Sequence, residues 1–437
     1  MADVAELCVI ERYRGKEKMY VQQLSVKNYR CFSEFSAIFV PGLNVVAGNN
    51  GAGKTSVLKA VACALSPVAH QCGADICTLE REDVRRQVTA YGKRVRFEPQ
   101  FPCECEVLYQ CGNTNLTLGQ KQDAVSGSPV WTGNYDLITK NIWKTLPLFT
   151  FYSAERQWIL PGEYSETNAV AVQDSRWDGY RGWVNASNSH QAFYKWMIDR
   201  SIARLQLAVD RQVGFWQVED DELAEVNRAL KKALPNEFES IAYDMSAKSI
   251  VVEISGKRVD FASLSDGERS FICLFTDIAR RMCLLNPQLG DKVIAETEGI
   301  VLIDELDVHL HPAWQRKIVK GLQEAFPKVQ FIVTTHSPQI LSEVSPQNIL
   351  LLQNGKVVRP DQAKGLTSDE ILRNVMGTED RPDFAKESLD KVYEALDAGR
   401  YEEARRELNK METIAGGPTE DTLQLGALIR TLAVSEG

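Results

Sequence analysis

The segment from Gly48 to Thr55 constrains the fold of this chain more than any other. It reads Gly-Asn-Asn-Gly-Ala-Gly-Lys-Thr and fits the pattern G-x-x-x-x-G-K-S/T. The apolar run 43–47 predicts a buried strand before the glycines, and 55–65 predicts a helix after them. The glycines are therefore expected in a tight turn between a strand and a helix N-terminus, which is the context that gives this pattern physical meaning.

Such a turn is suited to binding phosphate, although a glycine-rich turn without a ligand is the alternative. Glycines let successive backbone N–H groups converge on one point, and the helix N-terminus adds positive potential. We expect Lys54 to reach the outer phosphates and the Thr55 hydroxyl to ligate Mg²⁺. The residues predicted to contact the nucleotide in this segment are Asn49, Asn50, Gly51, Ala52, Gly53, Lys54, Thr55 and Ser56.

Two later apolar runs supply polar groups at their ends. The run 300–303 is followed by Asp304 and Glu305, and the run 329–335 by His336. Asp304 is expected to hold Mg²⁺, because a hard cation prefers oxygen ligands, and Glu305 to orient and deprotonate an attacking water. His336 is placed to hydrogen-bond a terminal phosphate. Taken singly, the two acids could be an exposed strand end, and the histidine could be structural.

The sequence Leu264-Ser265-Asp266-Gly267-Glu268-Arg269 precedes an apolar-striped helix. Ser265 is well placed as its N-cap, and a cap is the simplest interpretation of these residues in isolation.

The order of these motifs resembles the ABC-type ATPase heads of the SMC, RecF and OLD group, and within it the PtuA ATPases of Septu-type phage defence. The resemblance rests on the phosphate turn, L-S-D-G-E, the apolar strand ending in D-E, D-x-H-L-H-P and T-T-H-S-P. It is strong over 22–55 and 260–339. Asp266 stands where the first glycine of the signature motif is usual, and Glu268 where glutamine is common.

The resemblance implies the fold class α/β: an ABC-type P-loop ATPase head with an antiparallel β subdomain, an inserted helical subdomain and a C-terminal helical tail. It implies an enzyme that hydrolyses ATP to ADP and phosphate with Mg²⁺. The catalytic residues would be Lys54, Glu305 and His336, and the metal ligands Thr55 and Asp304.

The resemblance also implies partners. Two copies would form a head-to-head homodimer, or a higher oligomer, in which Ser265 and Gly267 of one subunit complete the ATP site of the other. Asp307 would lie in the loop facing the partner copy, and the glutamine-loop equivalent is placed at 153–157, where Arg156 could also sense nucleotide. An HNH-type nuclease would be the effector, and DNA is a further candidate ligand.

Two other functions compete with this hypothesis. A RecF-like repair ATPase would clamp DNA directly. A transporter ATPase is disfavoured by the long insert between Lys54 and Ser265. The chain is not expected to be a nuclease itself, because the segment after 338 looks helical and lacks a D-x-D pair to hold metal.

The pattern along the 437 residues predicts four segments. These are an N-terminal ATPase lobe with a β meander at 20–150, an inserted loop and helical subdomain at 151–249, a C-terminal ATPase lobe at 250–365 and a helical tail at 366–437. An antiparallel meander is expected from 88 to 117, and a long surface loop from 162 to 189.

Net charge and cysteine content limit which ligands and which cellular location the sequence predicts. The net charge of −9 argues against a surface largely covered by nucleic acid, and the basic cluster 81–96 is interpreted as a solvated face. Ten cysteines without a C-x-x-C pair indicate reduced thiols. Zinc at 103–111 and metal at 309–311 are disfavoured. No apolar run reaches the roughly 20 residues that span a bilayer, and the polar N-terminus is unlike a signal peptide, so a cytoplasmic protein is predicted.

Overall fold

The structure is a computed structural model that describes residues 19–91, 94–112, 114–133, 145–154, 175–188, 190–378 and 383–435. The chain divides into two compact units, Met1–Ile371 and Leu372–Gly437. The first unit carries every predicted site residue. The division into four sequence segments stays a prediction.

The described strands, numbered β1 to β16 in chain order, are Tyr20–Tyr29, Phe32–Ile38, Leu43–Gly48, Arg86–Tyr91, Arg94–Pro99, Cys103–Cys111, Thr114–Gln122, Val130–Gly133, Leu148–Tyr152, Phe238–Asp244, Ser249–Ile254, Lys257–Asp260, Gly299–Ile303, Val329–Thr334, Ile349–Gln353 and Lys356–Val358.

The described α-helices, numbered α1 to α11 in chain order, are Lys54–Gln71, His190–Arg211, Glu222–Ala233, Asp266–Leu285, Val293–Glu296, Pro312–Ala325, Pro338–Ser342, Ser368–Glu370, Asp383–Asp397, Tyr401–Ala415 and Glu420–Ser435.

A six-stranded sheet forms the centre of the first unit, in the order β16-β15-β3-β14-β13-β9. All neighbours are parallel except β15 and β16. Every residue of β9, β13 and β14 is buried, as expected for strands covered on both faces. Because β3, β13 and β14 run the same way, Gly48, Ile303 and Thr334 end at one edge of the sheet. The predicted α/β class is confirmed.

A second, five-stranded antiparallel sheet has the order β2-β1-β6-β7-β8, and α1 packs against β6 and β7. Gln330 of β14 connects the two sheets. Its buried side-chain amide accepts a hydrogen bond from the Val21 N–H at 2.8 Å and donates to the Val21 carbonyl at 2.9 Å. A buried amide with both ends satisfied fixes the position of one sheet on the other.

The predicted meander over 88–117 is only partly correct. Strands β6 and β7 form an antiparallel pair, but β4 and β5 form a separate two-stranded sheet. Alternation of apolar and polar residues is the same in both, so the sequence pattern could not show that the first pair leaves the main sheet.

Helix α1 continues six residues beyond the predicted end, through Pro67. Proline cannot donate to the carbonyl four residues earlier, which here belongs to Cys63. The side-chain amide of Gln120 donates to that carbonyl at 2.7 Å. A residue of β7 therefore satisfies the group that proline leaves unpaired, and the helix persists.

The predicted surface loop 162–189 is wrong where the structure describes it. Residues Arg176–Tyr180 and Trp183–Asn188 form short 3₁₀ segments, and Tyr180 and Trp183 are buried. The Tyr180 hydroxyl donates to the Pro147 carbonyl at 2.6 Å, and the Trp183 ring N–H to the Asp75 carbonyl at 2.6 Å. The Gly- and Ser-rich composition suggested a loop, but the aromatic rings are core anchors.

The insert contains α2 and α3 and leads into the antiparallel sheet β10-β11-β12. Both helices lie within the inserted helical subdomain predicted at 151–249. Asp221 is the N-cap of α3, and its side chain accepts a hydrogen bond from the Ala224 N–H at 2.8 Å. The same carboxylate forms an ion pair with the buried Arg204 of α2.

The second unit consists of α9, α10 and α11 with their connecting turns, close to the predicted tail helices. Its core contains Leu389, Val392, Leu408, Leu425 and Ile429. Across the described residues, helices with the length and hydrophobicity to cross a bilayer are absent.

Candidate active site

An open cavity of about 480 Å³ lies at the sheet edge where β3, β13 and β14 end. Its lining brings together most of the predicted site residues: Asn50, Gly51, Gly53, Lys54, Thr55, Ser56, Asp304, Glu305 and His336, with Arg30, Cys31 and Glu82. Residues from five separated parts of the sequence therefore meet at one place.

The glycine turn has the backbone that its composition predicts. Gly51 and Gly53 have φ angles of 78° and 99°, which favour glycine. At Gly53, a Cβ atom would lie 2.5 Å from the Phe32 ring and 2.7 Å from the Cys31 sulfur. Glycine is required there for two reasons, conformation and space.

The N-terminus of α1 is left open to the cavity. Gly53 is the N-cap residue, and among the described residues no side chain caps the helix. The first N–H groups of a helix have no intrahelical partner, and they attract anions. Asn49 and Asn50 are exposed, and Asn49 accepts a backbone hydrogen bond from Ala52 at 3.2 Å.

Lys54 is held across the turn. Its Nζ donates to the carbonyls of Gly48 at 2.9 Å and Asn49 at 3.0 Å. Burial lowers the pKa of Lys54, while the charges of Asp304 and Glu305 oppose that shift. The ammonium group is thus positioned at the cavity with few degrees of freedom left to lose when a phosphate arrives.

Asp304 is the centre of a hydrogen-bond network. Thr55 Oγ1 donates to its Oδ2 at 2.8 Å, and Thr334 Oγ1 donates to its Oδ1 at 2.6 Å. The carboxylate is almost fully buried. The glycine turn, β13 and β14 are therefore connected through one acid group.

Thr55 and Asp304 fit a divalent cation by chemistry and by position. A hydroxyl oxygen and a carboxylate oxygen lie 2.8 Å apart at the cavity, and magnesium binds few protein oxygens when phosphate and water supply the rest. Within the described ranges, no group of three or more His, Cys, Asp or Glu side chains suited to a metal is found.

Glu305 follows the last strand residue in the left-handed backbone region, with a φ of 49°. Its N–H donates to Thr334 Oγ1 at 2.7 Å, and the next N–H, of Leu306, donates to the Thr334 carbonyl at 2.8 Å. This conformation is costly for a non-glycine residue and persists because β14 holds it. It turns the Glu305 side chain away from the strand and into the cavity lining.

His336 is positioned by Asp307. The Asp307 carboxylate accepts hydrogen bonds from Thr335 Oγ1 at 2.6 Å and from the His336 N–H at 3.3 Å. The loop after β13 and the loop after β14 are thereby joined. His336 lines the cavity, as its position after the second apolar run predicted.

Ser265 and Gly267 lie elsewhere. Neither belongs to the cavity lining among the described residues. Ser265 is exposed and accepts a hydrogen bond from the Glu268 N–H at 3.3 Å, while Glu268 accepts one from the Ser265 N–H at 2.9 Å. A Cβ on Gly267 would lie 2.6 Å from the His309 carbonyl oxygen. The predicted N-cap is present at the start of α4.

Arg30, Cys31 and Glu82 were missed as cavity residues. Arg30 and Cys31 occupy the turn between β1 and β2, and an isolated bridge joins Tyr29 to Val84. Arg30 forms an ion pair with Asp83 at 2.6 Å. A charged turn after an alternating strand was the available signal, but only the sheet packing brings it to the glycine turn.

Two further predictions concern loops. Residues 155–157, including the proposed sensing residue Arg156, lie outside the described residues. His311 acts as the N-cap of α6, where its Nδ1 accepts a hydrogen bond from the Ala313 N–H at 3.3 Å.

Cys103 and Cys105 are buried, and burial raises the pKa of both thiols.

Two family models match the chain. The model described as "AAA domain, putative AbiEii toxin, Type IV TA system" matches residues 132–342, and the "AAA ATPase domain" model matches residues 19–93. The two matches include the glycine turn and the loops that carry Glu305 and His336.

Three curated proteins are similar over longer stretches. "Retron Ec83 probable ATPase" of Escherichia coli is 32% identical over 54% of this chain and 44% of its own length. "Retron Vc95 probable ATPase" of Vibrio cholerae serotype O1 biovar El Tor is 23% identical over 91% of this chain and 87% of its own length. "Septu protein PtuA" of Bacillus thuringiensis is 24% identical over 87% of this chain and 90% of its own length. The chain thus spans less than half of the Ec83 protein and most of the other two.

Among solved structures, the SMC head domain from Thermotoga maritima aligns with 78% of this chain and 99% of that chain, at 13% identity and a TM-score of 0.43.

The domain matches and the named relatives agree on the enzyme class. The chain matches two AAA family models and is similar to proteins named as retron ATPases and Septu PtuA.

Proposed function

We propose that this ATPase is a nucleotide-driven switch in anti-phage defence, in which two copies close head to head on ATP, reopen on hydrolysis and control a partner nuclease. The observation that carries the proposal is the separation of Ser265 and Gly267 from a cavity that otherwise gathers the predicted site residues. Both belong to the start of α4, where Ser265 is exposed and Gly267 is half-buried, so that a second copy could reach the Ser265 hydroxyl.

Within one subunit, each side chain has a definite task. Lys54 and the open N-terminus of α1 bind the outer phosphates. Glu305 orients a water molecule and accepts its proton as the oxygen attacks, and His336 hydrogen-bonds the phosphoryl group that is transferred. Thr55 and Asp304 would hold magnesium, which neutralises charge that develops on the phosphate oxygens.

Across the dimer, the start of α4 would supply the remaining contacts. In the isolated chain, the Ser265 hydroxyl and the Glu268 carboxylate bond to each other, with Oγ donating to Oε2 at 2.7 Å. Closing on a nucleotide would exchange this contact for one with the partner's phosphate. Asp307 lies beside this region through His309 and supports the same interface.

A nuclease partner is proposed because the chain offers ATPase chemistry and relatives named for Septu and retron systems. An HNH-type nuclease is the partner that the resemblance to Septu ATPases implies. The interface on this chain would lie in the insert or the second unit, and either could transmit closure of the head pair.

The dimer is tested by sedimentation of Glu305→Gln protein with and without ATP, alongside a Glu305→Gln/Ser265→Arg double variant. We expect ATP to convert the first from monomer to dimer and to leave the second monomeric. If both dimerise equally, Ser265 does not contribute across an interface. If the first stays monomeric at saturating nucleotide, the head-to-head arrangement is wrong.

The partner is tested by co-purification with the product of the neighbouring gene and by a cleavage assay on plasmid DNA. ATP-dependent cleavage that requires both proteins supports the switch. Binding to DNA ends by this chain alone, with no partner retained, would instead favour a RecF-like repair clamp.

A further inference from the structure

We propose that Cys63 and Cys77 form a modification site, at which a hydroperoxide converts the two thiols into one intramolecular disulfide. Cys63 lies in the middle of α1, and Cys77 lies in the loop that follows this helix. Their Sγ atoms are 3.4 Å apart, in a contact between two thiols. A disulfide bond is about 2 Å long, so small rotations of the two side chains bring the sulfurs to bonding distance. The inference does not depend on the proposed switch.

One buried side chain holds the two cysteines next to each other. The amide of Gln120, in β7, donates to the Cys63 carbonyl at 2.7 Å and to the Cys77 carbonyl at 2.6 Å. The Cys77 N–H donates to the Oγ of Ser66, which lies one helical turn beyond Cys63, at 2.8 Å. Hydrogen bonds therefore fix the backbone of both cysteines, and the two thiols are positioned for reaction before an oxidant arrives.

The two thiols differ in exposure. Cys77 is half-buried, whereas Cys63 is 2% exposed. The hydrogen bond to Cys77 and burial both raise the pKa of Cys63 well above its usual value, so this sulfur stays protonated and reacts poorly by itself. An oxidant from solvent therefore meets Cys77 first, and Cys63 lies behind it as the resolving thiol.

The reaction takes two steps. The Cys77 thiolate attacks one oxygen of the hydroperoxide, so that an S–O bond forms, the O–O bond breaks, and the released alkoxide takes up the proton that the Cys77 thiol lost. Cys63 then attacks the sulfur of this sulfenic acid. The S–S bond forms, the S–O bond breaks, and the leaving hydroxide takes the Cys63 proton to give water. The peroxide accepts the two electrons that the sulfurs lose, so no further reactant is needed.

The disulfide would fix the second half of the helix that carries the phosphate turn. It closes the segment 63–77, which contains Pro67 and the end of α1. The same loop is held at its Asp75 carbonyl, which accepts a hydrogen bond from the Trp183 ring N–H at 2.6 Å. Because a cross-link restricts the unfolded chain, the oxidised protein should unfold at a higher urea concentration than the reduced protein.

The test treats the reduced full chain with hydrogen peroxide in its folded state. The remaining thiols are then blocked with N-ethylmaleimide under denaturing conditions, and the chain is digested with trypsin and an Asp-specific protease without reductant. Peptide 60–74 carries Cys63 and Cys72, and peptide 75–81 carries Cys77. We expect mass spectrometry to find these two peptides linked, with the maleimide on Cys72.

Cys72 is the matched control, because it is nearer to Cys77 in the sequence than Cys63 is. In denaturing urea, loop closure should favour the shorter link from Cys72. In the folded protein, Cys63 should be favoured by at least about tenfold, because the fold holds its sulfur against Cys77. Cys72→Ser should keep the link, and Cys77→Ser should lose it. Peroxide should raise the urea midpoint of the wild type and leave that of Cys77→Ser unchanged.

Four results would contradict the proposal. A link through Cys72 in the folded protein would mean that the contact between the sulfurs is not used. Sulfinic acid on Cys77 with maleimide on Cys63 would show that Cys63 does not resolve the sulfenic acid. Two free thiols after the exposed Cys31 has been oxidised would show that the pair does not react. Equal shifts of the urea midpoint in the wild type and Cys77→Ser would assign the stabilisation to oxidation elsewhere.

The peptide map of the wild type needs no variant. If Cys77→Ser does not fold, the choice between Cys63 and Cys72 in the folded wild type still decides the question.

Discussion

Two helix starts in this molecule have opposite designs. At α1, the N-cap is Gly53 in the left-handed region with a φ of 99°, and among the described residues no side chain caps it. At α4, the N-cap is Ser265, and its contacts with Glu268 form a complete capping box. The first start is open to a ligand, whereas the second is satisfied by its own side chains.

In the proposed function, the α1 half of the ATP site is formed within one subunit, and the start of α4 is supplied by the other. The first N–H groups of α1 are available to bind an anion, because an uncapped helix start leaves them without intrahelical partners. The start of α4 must break its own hydrogen bonds before it binds anything else. A site that needs both would therefore respond to assembly as well as to nucleotide concentration.

The largest expected effect comes from the body of α4. Asp277 accepts hydrogen bonds from Tyr152, Arg280 and Arg281 in a fully buried cluster. Asp277→Asn would leave two buried guanidinium groups uncompensated and should destabilise the protein by about 3–5 kcal/mol in denaturant unfolding. Asp220→Asn, which removes an exposed ion pair with Arg211, should leave stability within experimental error. Equal effects would show that the buried cluster is not an anchor.

The same residue predicts a pH dependence. Although burial alone would raise it, Arg281 and Arg280 lower the pKa of Asp277 from 3.8 to about 2. A lowered folded-state pKa contributes stability that is present above pH 3.8 and is lost as the pH falls toward about 2. Unfolding free energy measured over this interval should fall less steeply in Asp277→Asn than in the wild type, and parallel curves would contradict the assignment.

The next largest effect is expected in ATP hydrolysis at the cavity beside the N-terminus of α1. Glu305→Gln should retain ATP but lose turnover by at least about 10²-fold, because the attacking water loses its base. Lys54→Ala should instead weaken nucleotide binding. Glu343→Gln, at an exposed position, is the matched control. Steady-state hydrolysis and equilibrium binding separate the two effects, and normal turnover in Glu305→Gln would refute its role.

A smaller effect is expected at the N-cap of α1. In Gly53→Ala, the added carbon meets Phe32 and Cys31, and strain of about 1–3 kcal/mol should weaken nucleotide binding by about tenfold or more. Gly256→Ala provides the comparison, because Gly256 also has positive φ but faces open space. Titration with a fluorescent ATP analogue measures both, and similar losses would mean that the cavity geometry is not involved.

The smallest effect is expected at the second start. Ser265→Ala removes the cap of α4 and should cost about 1 kcal/mol of stability in the monomer. Thermal unfolding at low protein concentration measures it. No change in stability would indicate that water replaces the cap, and would make the contrast between the two helix starts unimportant.

The fold and site were predictable where chemistry lies within a short stretch of sequence. Asp304 and His336 each follow an apolar run, Gly53 and Lys54 lie in the turn and helix start after another, and parallel strands bring such ends together. Arg30 could not be predicted, because its place depends on how an antiparallel sheet packs against the glycine turn.

The sequence pattern gave wrong local predictions at two places, the segment around Tyr180 and the end of α1. Tyr180 and Trp183 lie among glycines and polar residues that suggested a loop, yet each ring is buried and bonded to a distant carbonyl. The helix predicted over 55–65 continues through Pro67, because Gln120 from another element satisfies the Cys63 carbonyl. In both cases a contact remote in sequence decides the local structure.

The position of β3 also bears on how the protein is made. On one side β3 pairs with β14 and on the other with β15, and Asn44 and Phe331, which hydrogen-bond across this sheet, are 287 positions apart. While a ribosome is still adding the intervening residues, the emerging chain carries β3 with both edges unpaired. Asp304 and Thr334 are likewise not yet synthesised. A nascent chain therefore cannot assemble the ATP cavity, and its apolar β3 needs shielding until translation has passed β15.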